Sequence, residues 1–132
     1  MEQIKNVSEK YHYGYATFEN FWGKDIKNVT LIHSADVPWG GMKDWKYIEH
    51  VPNKGILENC FGFKYYIGVG SDIWHIKFWT YDGEVYECKH DFSCNITSDD
   101  GGRVILGING ESRKLYAHFS SSSDCSTGIS SA

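Results

Sequence analysis

Residues 72 to 94, DIWHIKFWTYDGEVYECKHDFSC, constrain the fold more than any other stretch of the chain. Two aromatic-rich runs flank Asp82-Gly83, a dipeptide that supplies the positive φ angles of a tight type I′ turn, so the segment reads as a β-hairpin. A two-residue loop places Tyr81 opposite Glu84, Trp79 opposite Tyr86, Lys77 opposite Cys88 and His75 opposite His90. The other surface then carries Trp74, Ile76, Phe78, Thr80, Val85, Glu87 and Lys89. Tryptophan on both faces predicts a mid-sheet hairpin, one face in the core and the other open to a ligand, a partner or a covering loop.

The remaining strands follow from alternation and turn signals. Tyr13 to Glu19 is the first expected strand, Asn28 to Ser34 the second, and Phe61 to Val69 a later one whose Phe61, Phe63, Tyr65 and Ile67 share a face. Met42 to Val51 fits either a strand, with Trp45 and Ile48 poorly phased, or a short helix with Trp45, Ile48 and Val51 in line; we take it as a strand. Ala35 to Gly41 is a loop carrying Trp39. A second hairpin turns at Asn109-Gly110 and puts Val104, Leu106, Ile108, Leu115 and Ala117 on one clean core face. About seven or eight mostly antiparallel strands without a long helix predict a single-domain, all-β sandwich over residues 13–125. Residues 1–12 are expected to be a loose lead-in and 126–132, low in apolar residues, a flexible tail.

At 132 residues the chain suits one domain, and its 16% aromatic content favours strands. A net charge of −4 with only Arg103 and Arg113 as arginines gives no electrostatic footprint for nucleic acid. No run approaches the length of a membrane span and no signal peptide is evident, which suits a cytoplasmic protein, or a secreted one with its leader removed. Four cysteines and sequons at Asn6, Asn28 and Asn95 fit the secreted case. The short loop between Cys88 and Cys94 makes that pair a disulfide candidate, leaving Cys60 with Cys125; buried thiols are the alternative.

The succession Ala16-Thr17-Phe18-Glu19-Asn20, then NVTLIHSAD from Asn28, Trp45 with Ile48, and YYIGVGSDIWHIKFWTYDGEVYEC from Tyr65 to Cys88 resembles the small domain family of fungi and bacteria called "up-regulated in Daf". The likeness covers about two thirds of the chain; Ile67 stands where that family tends to have Thr, and the last hairpin has no counterpart. It implies a compact β-sandwich and no settled activity. At the level of architecture, such sandwiches are similar to actinoporin-like and aegerolysin-like proteins, which bind lipids or glycans.

Motifs for catalysis are missing: there is no Gly-x-Ser-x-Gly, no phosphate-cradling loop and no His-Glu-x-x-His. Zinc between Cys88 and Cys94 lacks four well-spaced ligands. Asp99 and Asp100, with Asp72 and Asp82, offer carboxylates to calcium or simply form solvated turns. No metal and no cofactor is therefore expected. Aromatic display remains, since sugar CH faces stack on Trp and Tyr and the same rings suit a lipid headgroup layer. Trp22, Trp39, Trp79, Tyr81, Asp82 and Tyr86 are the ligand-binding candidates. The expected function is non-catalytic binding of a glycan or lipid headgroup, lectin-like or membrane-recognising, in a defence or toxin-type role. A self-association module and a small hydrolase without a recognisable motif are the alternatives.

Overall fold

A computed structural model of the chain describes residues 11–90, 92–121 and 124–132. Ten strands follow in chain order: β1 His12–Phe21, β2 Ile26–Asp36, β3 Met42–Val51, β4 Ile56–Tyr65, β5 Ser71–Thr80, β6 Val85–Cys88, β7 Phe92–Ser93, β8 Arg103–Asn109, β9 Lys114–Phe119 and β10 Cys125–Ser131. A single 3₁₀ turn, Ser98–Asp100, is the only helical element among the described residues. Sequon Asn6 and most of the expected lead-in lie outside the described residues.

The strands hydrogen-bond in the order β3-β2-β5-β6-β10-β9-β8-β1-β4, with β7 paired to β5. β1 and β8 run parallel; the other pairs are antiparallel. Alternation along the strands sends one set of side chains inward, including Phe18, Leu31, Phe61, Phe63, Trp74, Ile76, Phe78, Leu106 and Leu115, and these form one core.

The all-β expectation holds, but the architecture is a nearly closed, barrel-like sheet of ten strands instead of a sandwich of seven or eight. The difference lies in the expected tail, 126–132, of which all but Ala132 belongs to β10, Cys125–Ser131. Cys125 to Gly128 pair with β9 and Ile129 to Ser131 pair with β6, so one strand passes from one half of the sheet to the other and joins them. Composition hid it, because Ile129 is its single buried apolar side chain and its place is secured by backbone hydrogen bonds.

On the opposite side, β3 and β4 are consecutive in sequence, yet no ladder joins them. The turn Pro52 to Gly55 connects them, Gly55 N–H donating to the Pro52 carbonyl at 2.8 Å. Farther up, Asp44 spans the gap: its Oδ2 accepts the Lys64 backbone N–H at 2.7 Å. Between these two closures lies an open groove of about 970 Å³. Asp44 and Lys46 sit on the inward side of β3, and inward charge is a common device for keeping an edge strand from recruiting another chain.

The first hairpin also differs from expectation by one residue. Thr80 N–H donates to the Glu84 carbonyl and Gly83, at φ 92°, to the Thr80 carbonyl, so the loop has three residues and a glycine bulge. Phe78 therefore faces Tyr86, Trp79 faces Val85 and Lys77 faces Glu87. A one-residue slip sends a strand's side chains to the other face: Tyr86 and Cys88 enter the core, and Val85 and Glu87 turn outward. His75 meets Glu87, Nε2 to Oε2 at 2.7 Å, where His90 had been expected. In the second hairpin the expected core face is observed, though the connection is longer, running from Gly110 to Arg113.

The disulfide joins Cys94 to Cys125, with Cα atoms 6.1 Å apart. This overturns both expected pairings, Cys88 with Cys94 and Cys60 with Cys125. The register sets Cys88 inward opposite Ile129, and Cys60 lies on β4 beside the groove; both remain thiols.

Candidate functional site

The outer face of β3, β2, β5 and β6 is built from four successive rungs of outward side chains. The first crosses Lys43, Ser34 and Ile73; the second Trp45, Ile32 and His75; the third Tyr47, Thr30, Lys77 and Glu87; the fourth His50, Lys27, Trp79 and Val85. On β2 and β5 the inward neighbours Val29, Leu31, Trp74, Ile76 and Phe78 are fully buried. The core is thus closed without the aromatics on this face. Trp45 is 68% exposed, the most exposed of the described large apolar side chains, and Tyr47, Trp79 and Tyr81 are exposed with it.

Tyr81 rises from the hairpin loop onto the fourth rung. His50 Nδ1 lies 2.6 Å from its hydroxyl and Lys27 Nζ stands 5.1 Å from its ring centroid, a cation–π distance. Its neighbour Asp82 pairs with Lys24 at 2.9 Å. The Thr80 hydroxyl, followed by Lys24, holds the Asp82 carboxyl below its ordinary range, and that pairing raises Lys24. Asp82 is therefore occupied in fixing the loop. Tyr47 donates to Asn28 Oδ1 at 2.7 Å, where β2 carries a bulge and Asn28 sits at φ 51°. At its margin the face runs into the groove, which Tyr47 and His50 also line. A dent of about 160 Å³ lies at the other end, walled by Lys43, Ser34, Ile73 and His75.

Of the sequence candidates, Trp79, Tyr81 and Asp82 come together on or beside this face. Trp22 and Tyr86 do not: at 8% and 3% exposure they pack against each other and Phe78 in the core, under the guanidinium of Arg113. Trp39 is 40% exposed but sits past the far end of β2, its ring edge-on to Tyr66. Ten residues of β2 separate the Tyr81 end from the Trp39 end, roughly 30 Å at strand rise, so one small ligand cannot touch both. Tyr47 was not foreseen. The signal was available in the poor phasing of Trp45 against Ile48, which places Trp45 and Tyr47 together on the side away from the core once the segment is a strand.

The second aromatic face, over β1 and β8, is differently used. Tyr15 lies across Gly62, and Tyr116 covers Gly107 with its hydroxyl donating to Glu19 at 2.9 Å, so these rings fill strand positions that lack a side chain. Burial, followed by the bond to Glu19, pushes the Tyr116 phenol far up.

Inside the barrel, His33 Nε2 and Asp72 Oδ1 meet at 2.8 Å, with His33 fully buried between Phe63 and Trp74. Asp72 also accepts the Ile96 N–H, so this pair ties strands together within the core. Asp100 is bound by the Thr97 N–H and by the N–H and hydroxyl of Ser121, and Asp82 by Lys24. The acidic residues suggested as cation ligands are thus dispersed, and no group of three or more His, Cys, Asp or Glu suited to a metal occurs among the described residues. Among the described residues no helix is long and apolar enough to cross a membrane. No protein-family model matches the chain, and no curated protein matches it.

Proposed function

We propose that the protein is a non-catalytic glycan-binding module whose site is the outer face of β3, β2 and β5. The observation that carries this reading is the outward display of Trp45, Tyr47, Trp79 and Tyr81 on a face whose strands already close the core from their other side. Exposed aromatic planes suit the CH faces of sugar rings, and hydroxyl, amide and imidazole groups beside them suit sugar hydroxyls; Thr30, Ser34, Asn28 and His50 supply these. Trp45 and Trp79 lie two rungs and two strands apart, about 13 Å along the strands and about 10 Å across them, room for more than one ring.

Glycan is favoured over a lipid surface because Trp45 and Trp79 lie within strands, flanked by charged side chains, and do not form the protruding apolar tip that would dip into a bilayer. The test is a glycan array run beside vesicle sedimentation, with wild type, Trp45→Ala and Trp79→Ala. Glycan binding lost in both variants, with stability within about 1 kcal/mol of wild type, is the expected result. Sedimentation with vesicles and silence on the array would overturn it.

A further inference from the structure

Resting on the glycan-binding reading of this same face, we infer that its ligand is an acidic saccharide, one bearing sulfate or carboxylate groups. The chain is acidic, with a formal net charge of −4, but the charge on this face has the other sign. Across the four rungs the outward ionisable side chains are Lys27, Lys43 and Lys77 with His50 and His75, against Glu87. Glu87 is already bonded to His75, and Glu49 lies at the margin, over the groove. Lys43 and Lys77 have no ion-pair partner among the described residues.

The placement of the cations matters as much as their number. Lys43 stands one rung from Trp45, Lys77 shares the rung of Tyr47, and Lys27 shares the rung of Trp79 while reaching over Tyr81. A ring stacked on any of these aromatics therefore has an ammonium within a rung of it, about 7 Å or less along the strand. Lysine holds sulfate and carboxylate as a point charge without demanding bidentate geometry, which suits groups spaced along an oligosaccharide. Both arginines, the better readers of a phosphate backbone, lie off this face: Arg103 pairs beside Tyr15 and Arg113 covers Trp22.

The experiment follows tryptophan fluorescence of the intact protein titrated with four probes: a heparin oligosaccharide, a hyaluronan oligosaccharide, a neutral cello-oligosaccharide and a single-stranded oligonucleotide of matched charge. Tighter binding of one or both acidic saccharides than of the neutral one is expected. That binding should weaken about tenfold in the Lys43→Ala, Lys77→Ala double variant and fall further with added salt. Equal binding of the neutral sugar, unmoved by salt or by the lysine variant, would overturn the acidic preference and leave the glycan reading standing. Binding of no saccharide would sink both. Binding of the oligonucleotide as tightly as the acidic sugars would replace a saccharide site with a general polyanion site. Lys43→Arg, Lys77→Arg serves as the folding control, and recovery of binding in it is expected.

Discussion

At Asp72 a single residue holds three segments of the barrel. Its Oδ1 meets His33 Nε2 from β2 and its Oδ2 accepts the Ile96 N–H at 3.0 Å, while its own N–H donates to Asn95 Oδ1 at 2.8 Å. Cys94 N–H closes the set on the Asp72 carbonyl. Asp72→Ala leaves a buried imidazole and an amide without an acceptor, and should cost about 1–3 kcal/mol of unfolding free energy in a urea titration. The sequence offers Asp72 only as a carboxylate for calcium and not as this tie, because a hydrogen bond between positions 39 apart has no local pattern. The tyrosines make a second residue-scale prediction. Burial raises Tyr65 and Tyr116, and the Glu84 hydrogen bond raises Tyr86. For a phenol raised on folding, the stabilisation is complete below the ordinary tyrosine value of 10.0 and is lost as pH climbs past it. Thermal stability should therefore fall above about pH 10, with phenolate absorbance of these residues appearing together with unfolding. Phenolate formation at the ordinary value in a protein still folded would contradict it.

Among the elements, the first hairpin separates what alternation can show from what it cannot. In β8 and β9, Val104, Leu106, Ile108, Leu115 and Ala117 make one wholly apolar face while the other carries Arg103, Gly107, Asn109, Lys114 and His118 with Ile105 and Tyr116, so the buried face could be read directly. In β5 and β6 both faces carry Trp, Phe, Tyr or Val, so a loop of two residues and a loop of three are equally compatible with burial. The choice fell to Gly83, whose positive φ serves either turn. Two of the six sequence candidates fall in the core instead of on the face: Tyr86 through that one-residue difference, and Trp22 because a place beside the β1–β2 turn does not by itself mean exposure. The two faces predict different costs of truncation. Tyr86→Ala and Trp22→Ala should each lose about 3–5 kcal/mol by leaving a core cavity. Trp45→Ala and Trp79→Ala should stay within about 1 kcal/mol, measured by the same denaturant titration. A large loss at Trp45 would mean that this ring packs against something and is not held out for a ligand.

For the molecule as a whole, closure rests on β10 and on the disulfide that anchors its first residue to Cys94. A sandwich and a barrel share the same alternation, strand lengths and turn residues, so the sequence could not choose between them; the choice was made by a serine-rich strand of little hydrophobic character. The Cys94–Cys125 bridge spans 31 residues of chain, and its reduction should cost about 3–4 kcal/mol. Peptide mapping without reductant should recover that pair alone, with Cys88, in the core, alkylated only after denaturation and Cys60, half-buried beside the groove with its thiol raised by burial, alkylated slowly in the folded protein. A Cys88–Cys94 peptide would contradict the fold described. Because β10 lies between β6 and β9 but follows them both in the chain, a growing polypeptide carries the unsatisfied edges of those two strands until β10 has emerged from the ribosome. Truncation or stalling before Cys125 should consequently yield a sticky species in need of chaperones.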